Sequence, residues 1–554
     1  MMKKQFFILV LVIFAASSEQ VFSQYTAGKT DSFTRQQHLR GSVTPERAWW
    51  DLLHYDLNFQ FFPDRKFITG SNKITFKTIK KAKKMQLDLQ EPLAITKITH
   101  HGKALKFERE GNVYWVYFSK SPIKGKEDSV EVFWEGAPTE SENPPWSGGI
   151  QWSKDDEGED WIASTAQGIG ASIFWANKDI GYDEPDRGAN ISITCPERLT
   201  AVSNGRLKGI ETNTAEKTRT FHWQVLNPIN NYSINVNIGN YVHFGEKYQG
   251  LGGELDIDYW VLKQHKEKAV EQFKEVPRTI KAFEDWFGKY PFYEDSFKLV
   301  EVPYLGMEHQ SSVTYGNGYQ NGYRGRDLSH TGIGLKWDFI IVHESGHEWF
   351  GNNISMKDAA DMWVHEGFTN YSENLFTEYY WGKEDGAKYV IGTRKNIRND
   401  VPIIGTYGVN NSGSSDMYYK GGNMLHLIRQ VINDDEKWRG ILRGLNKDFW
   451  HQTVTTKQIE DYISKKAGFD FGKVFDQYLR TTKIPKFTYS KNGNTLKYRF
   501  TDVVPGFAIP IRVKVNGVSH TFNVSEKEQT FVNGKVIGSV EVDENYYVLT
   551  KQDN

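Results

Sequence analysis

Apolar and polar positions alternate in short runs along the first part of the chain. His54–Phe62 (HYDLNFQFF), Lys73–Ile79 (KITFKTI) and Ser129–Gly136 (SVEVFWEG) repeat with period two, and Gly, Asn, Asp and Pro separate them. Period two sends successive side chains to opposite faces, so a mostly antiparallel β region is expected from about Tyr25 to Val242. From about Gln249 the period lengthens. His265–Phe292 has helical spacing, with Pro277 as a break or restart, and a β-like piece follows at Phe297–Tyr315. Helical patterns then run over Leu335–Phe350 and Ala359–Trp381, and further helices are expected at Gly421–Asn433, Glu436–Lys447 and Thr456–Lys466. After Leu479 the strand pattern returns and predicts a small β-sandwich. The fold class is therefore α+β and multidomain. Its expected parts are a β domain over residues 24–248, a mostly helical domain over 249–482 and a C-terminal β-sandwich over 483–554.

Composition narrows the functional classes. Of 554 residues, 38% are hydrophobic and 14% aromatic, which excludes wholesale disorder. Lys and Arg number 68 against 69 Asp and Glu, so no global basic field holds a nucleic acid. A single cysteine, Cys195, excludes an internal disulfide and a cysteine-built zinc site. Phe6–Ala16 is the one long apolar run, and it follows Met1-Met2-Lys3-Lys4. Too short to span a bilayer, it reads as a secretory signal cleaved after Ser23. The expectation is a signal peptide at residues 1–23, a periplasmic or secreted protein, and no integral span after its removal.

The sharpest chemistry is His343-Glu344-Ser345-Gly346-His347. On a helix, positions i and i+4 share a face, so two imidazoles can hold one metal ion with the intervening Glu as general base. Gly346 weakens that helix by ~1 kcal/mol relative to Ala, a cost that close packing would explain. A hydrolytic zinc site needs a third protein donor and leaves the fourth position for water. Glu366, in the next predicted helix, fits. The expected cofactor is one Zn2+ per chain on His343, His347 and Glu366, with Glu344 as base.

The flanks carry a wider pattern. HESGHEWFGNNIS (343–355) followed by DMWVHEGFTNYSE (361–373) resembles the gluzincin aminopeptidases, the family of aminopeptidase N and leukotriene hydrolase. Their third-ligand helix reads Asn-Glu-Gly where this chain has His365-Glu366-Gly367. Their Gly-x-Met-Glu-Asn motif is matched by Leu305-Gly306-Met307-Glu308-His309, which keeps the Glu and changes both ends. The resemblance implies that Glu308 binds the free α-amine of a peptide, with Gly306 and Met307 on an edge strand beside it. Tyr418-Tyr419-Lys420-Gly421 is similar to the family's Tyr-x-Lys-Gly, which implies Tyr418 as the oxyanion donor, with Tyr419 as its rival. Gln167, in TAQGIGAS, resembles a family Gln that also touches the substrate's N-terminal end. The resemblance further implies a saddle-like N-terminal β domain and a thermolysin-like catalytic domain.

The function these residues imply is removal of single residues from peptides with a free N-terminus. A zinc endopeptidase, a lipid-epoxide hydrolase and a non-catalytic peptide-binding protein on the same fold are the alternatives. Glu308 separates the first of these from the aminopeptidase, because an amine anchor disfavours internal cleavage.

Overall fold

The computed structural model describes residues 32–553, so the expected signal at residues 1–23 lies outside the described residues. The N-terminal region is built on an eight-stranded sheet. At its centre the strands Trp50–Phe62 and Phe67–Thr78 pair antiparallel, from Trp50 opposite Thr78 to Phe62 opposite Phe67. The period-two reading holds here: Tyr55, Leu57, Phe59 and Phe61 are all buried on one face, as are Ile74 and Phe76 on the partner. A three-stranded and a four-stranded sheet complete this body. Asp160–Thr165, in the four-stranded sheet, ends two residues before Gln167 and so fixes where that side chain emerges.

The second body begins with a five-stranded mixed sheet. Its strands in spatial order are Tyr241–Gly250, Gly253–Leu262, Phe297–Glu301, Val313–Tyr315 and, at the edge, Gly306–Met307. The expected change of domain at 248/249 falls inside the first of these strands. Composition shifts where the helices begin, but the sheet is assembled by long-range pairing such as Ile257 opposite Phe297. Helices Lys266–Gln272 and Glu275–Phe287 follow the hairpin, and Pro277 sits in the first turn of the second, where its missing N–H costs nothing.

The motif helix is shorter than its apolar pattern. It spans Phe339–Gly346 within the expected 335–350. Asp338 stops it at the front: in extended conformation, its carboxylate accepts from the backbone N–H groups of Ile340 and Ile341. At the back, Glu348 and Trp349 bond three residues upstream, to Ser345 and Gly346, which tightens and ends the helix at His347. The return helix is Trp363–Trp381, preceded by a 3-10 turn at Ala359–Asp361 that Asp358 caps. Helices Tyr419–Ile432, Asp435–Asp448 and Thr456–Ala467 lie within two residues of their expected ends. Trp286, Trp337, Trp349, Trp363 and Trp438 are buried among them. From Lys486 onward a four-stranded and a three-stranded sheet form the C-terminal region. Among the described residues, no helix is long and apolar enough to cross a membrane.

Candidate metal centre and cleft

His343 and His347 project from the end of the motif helix, and Glu366 projects from the first turn of the return helix. Their donors converge. His343 Nε2 and His347 Nε2 are 3.3 Å apart, and Glu366 Oε2 lies 3.3 Å from His347 Nε2 and 3.8 Å from His343 Nε2. Ligands ~2.0–2.1 Å from a tetrahedral zinc are separated by about 3.3 Å, so the spacing fits the ion. The Glu366 Oε2 atom is buried and has no hydrogen-bond partner, the condition of an oxygen shaped for a cation.

The opposite edge of each imidazole is pinned. His343 Nδ1–H donates to Glu373 Oε1 at 2.7 Å, and His347 Nδ1–H donates to the Phe350 carbonyl at 3.0 Å. Both acceptors lack a proton to give, so each ring turns an unprotonated Nε2 toward the shared point. Glu373 is itself held by Asn370 Nδ2 (3.1 Å) and the Tyr389 hydroxyl (2.6 Å). It lies two helical turns after Glu366 on the same helix, a spacing readable in the sequence that our sequence analysis did not use.

What lets the two helices approach is Gly346. A Cβ at that position would meet Ser372 Oγ at 2.6 Å and Thr369 Cγ2 at 3.2 Å, both on the return helix. The propensity cost read from the sequence therefore accompanies a close packing contact.

Glu308 follows the edge strand Gly306–Met307 and is buried. Gly306 has φ +153, and a Cβ there would strike Ile340 Cγ2 at 2.6 Å, so glycine lets this strand close on the motif helix. Met307 packs with Ala163, Val302 and Tyr304, and it also lines the cleft. Gln167 reaches in from the N-terminal body: its side-chain amide donates to Glu308 and, at 3.1 Å, to Glu366 Oε1. Asn352 Nδ2 donates to the Glu308 carbonyl at 2.8 Å and fixes the backbone there. Two further residues were not read from the sequence. The buried Tyr232 hydroxyl feels the charge of Glu308 and lies 3.4 Å from His365 Nδ1. His365 Nε2 accepts from the Met356 N–H at 2.8 Å, which leaves the proton on Nδ1. His309 is buried away from the cleft, and burial pushes its pKa down to about 3, so it is neutral.

The cleft is lined by the three donors, Glu344, Glu308, Gln167, Gly306 and Met307, together with Trp146, Tyr323, Phe339, Tyr418 and Tyr419. The Tyr418 ring stacks toward His343 with centroids 6.0 Å apart. Tyr419 is the more buried of the pair and feels the charge of Glu373 behind the metal donors. Four carboxylates, on Glu308, Glu344, Glu366 and Glu373, are buried around two imidazoles. Burial raises the Glu344 carboxyl to about 7, with Glu308 and Glu366 adding to the rise against His343 and His347. Burial also raises Glu308. For Glu366 burial is outweighed by the two imidazoles beside it, His347 foremost, and the carboxyl is held below the usual range. So many carboxyl groups buried beside two imidazoles favour a compensating cation, which is a second mark of a metal site.

Residues 271–478 match the Peptidase family M1 domain. Over 372 residues the chain is 21% identical to Probable aminopeptidase 2 of Sulfurisphaera tokodaii, covering 64% of this chain and 46% of that protein. It is 22% identical over 453 residues to leukotriene A-4 hydrolase of Xenopus laevis, covering 76% and 69%. The chain thus spans about half the length of several curated relatives it matches. The solved M1 zinc metallopeptidase of Deinococcus radiodurans superposes with a TM-score of 0.68 at 18% identity, covering 81% of this chain and 98% of that one.

Proposed function

From a chain that carries a peptidase family M1 domain, we propose a zinc-dependent aminopeptidase that removes the N-terminal residue of peptides. The carrying observation is the arrangement in the cleft: three convergent donors beside a buried Glu308 that Gln167 ties to Glu366. His343, His347 and Glu366 would hold the metal. A zinc ion bound there supplies a Lewis acid and lowers the pKa of a water molecule toward ~7.

The chain's own groups do the rest. Glu308 accepts the ammonium of the substrate, and Glu366 Oε1 with the Gln167 amide encloses it. That pairing sets the first peptide bond beside the metal donors and disfavours a substrate whose amine is blocked or internal. Glu344, beside His343 and raised by burial, takes a proton from the attacking water and passes it to the departing amine. Tyr418, whose ring lies against His343, offers a hydroxyl to the oxyanion that forms on the carbonyl. A solved structure of the Deinococcus radiodurans relative holds a Tyr-Ser-Ala substrate, which supports a peptide as the occupant of this cleft.

The test compares peptides with free and acetylated N-termini on the zinc-loaded protein, followed by mass spectrometry. Stepwise loss of residues from the free members alone is expected, and Glu344→Gln should abolish it. Equal cleavage of the acetylated partners would refute the amine anchor and indicate an endopeptidase.

A further inference from the structure

Charge in the cleft is divided along its length. Glu308 and Gln167 stand on the Glu366 side of the metal donors. On the other side a ladder of rings runs outward. Phe339 stacks on His343 with centroids 5.1 Å apart, Tyr323 meets Phe339 edge-on at 5.4 Å, and the Arg326 guanidinium lies 5.6 Å from the Tyr323 ring. Tyr323 and Arg326 oppose each other directly: the Tyr323 N–H donates to Arg326 O (2.8 Å), and the Arg326 N–H donates to Tyr323 O (3.1 Å). Residues paired in this way carry their side chains on the same face. Arg326 therefore shares the face on which Tyr323 lines the cleft, and Arg324 occupies the turn between them.

Both arginines are exposed, and neither has an acidic partner among the described residues. Their charge reaches the cleft. Burial raises the pKa of the Tyr323 hydroxyl, Arg324 and Arg326 pull it back, and Glu344 pushes it up, so one hydroxyl senses both ends. The inner end is negative and the outer end positive, which matches a ligand with an ammonium leading and a carboxylate trailing.

We propose that Arg326, with Arg324 beside it, forms a carboxylate-binding subsite at the outer end of the cleft, and that the preferred substrates are short peptides held at both ends. This rests on the amine-anchoring role of Glu308. At ~3.4 Å per extended residue, each step of the ladder takes fewer than two residues, so the arginines lie within reach of peptides a few residues long. The carboxylate is either the peptide's C-terminus or an acidic side chain near it.

The experiment measures KM and kcat for tri- to pentapeptides, each as the free acid and as the C-terminal amide. The wild type should favour the acid three- to tenfold in KM, with kcat within twofold, and 0.5 M salt should shrink the preference. In Arg324→Gln/Arg326→Gln the acid-to-amide ratio should approach one. Amides carrying one Glu near their C-terminus separate the two sources: restored preference means that any outer carboxylate is accepted, and no restoration means that the terminus is read. Equal KM for acid and amide in the wild type would overturn the subsite while leaving the aminopeptidase intact. Should no peptide be cleaved, the aminopeptidase reading fails. Fluorescence quenching of the cleft-lining Trp146 by acid and amide then still decides whether the arginines bind a carboxylate.

Discussion

Gly346→Ala probes how the metal donors are brought together. In an ordinary exposed helix the change would stabilise by ~1 kcal/mol. Here the new methyl would lie 2.6 Å from Ser372 Oγ and 3.2 Å from Thr369 Cγ2. Relief by rotating Ser372 gives up its hydroxyl bond to the Thr369 carbonyl, 2.6 Å long and worth about 1 kcal/mol. Relief by separating the helices costs ~1–3 kcal/mol as overpacking. The balance runs from about zero, if Ser372 rotates, to a net loss of up to ~2 kcal/mol, if the helices part. Separation would also move His343 and His347, on one helix, away from Glu366 on the other, so zinc affinity should fall. Ser372→Ala removes the nearest atom and leaves its Cβ at 3.5 Å, an ordinary contact. The double variant should then recover ~1–2 kcal/mol beyond the sum of the single changes. Urea unfolding of the metal-free proteins measures the stabilities, and chelator competition measures zinc affinity. A Gly346→Ala protein more stable by the full ~1 kcal/mol, with zinc affinity unchanged and no coupling to Ser372, would refute the packing argument.

Two further outcomes follow from the same geometry. Glu373→Ala removes the group that fixes the His343 ring, so zinc affinity should drop ~10–100-fold while near-UV circular dichroism is retained; an unchanged affinity would remove Glu373 from the site. Glu275, buried at the start of its helix, has its carboxyl raised by burial to about 7, with Arg278 opposing. A folded pKa above the unfolded value means that its stabilising contribution is present below about 4.5 and is lost as pH rises through 7. Glu275→Gln should therefore gain up to ~3 kcal/mol on the wild type between pH 4.5 and pH 8, and a pH-independent difference would contradict the shift.

Much of the centre was legible because its spacing is local. The i,i+4 rule places His343 and His347 together whatever surrounds them, and Glu366 follows from the need for a third donor. The ends of the motif helix were not legible. Residues 339–346 are buried on every side, so the apolar pattern carries on past both ends and has no stripe to mark a stop. Asp338 and the three-residue bonds at Ser345 and Gly346 decide the limits instead. Gln167 was readable only by resemblance, because it arrives from another body of the fold. Tyr232, Trp146, Tyr323 and Arg326 lie outside the strands and α-helices that carry a regular apolar repeat, so nothing periodic singles them out. That a strand runs across 248/249 was not legible for the same reason: its sheet reaches Phe297–Glu301, through the neighbouring hairpin strand, by long-range pairing.

The apolar interior has a consequence for how the molecule comes apart. One continuous cluster runs from Leu255 through the helices into the C-terminal sheets, taking in Phe475, Tyr478, Phe487 and Phe522, while the N-terminal sheets enclose a largely separate cluster. Cooperative unfolding follows shared cores rather than sequence boundaries. The C-terminal sandwich is therefore not a detachable module. Cutting the chain near residue 482 would strip the cover from the helices that end at Arg480. The two clusters meet where Gln167 crosses to Glu308 and Glu366, so a movement of one body against the other would also part Gln167 from these two carboxylates.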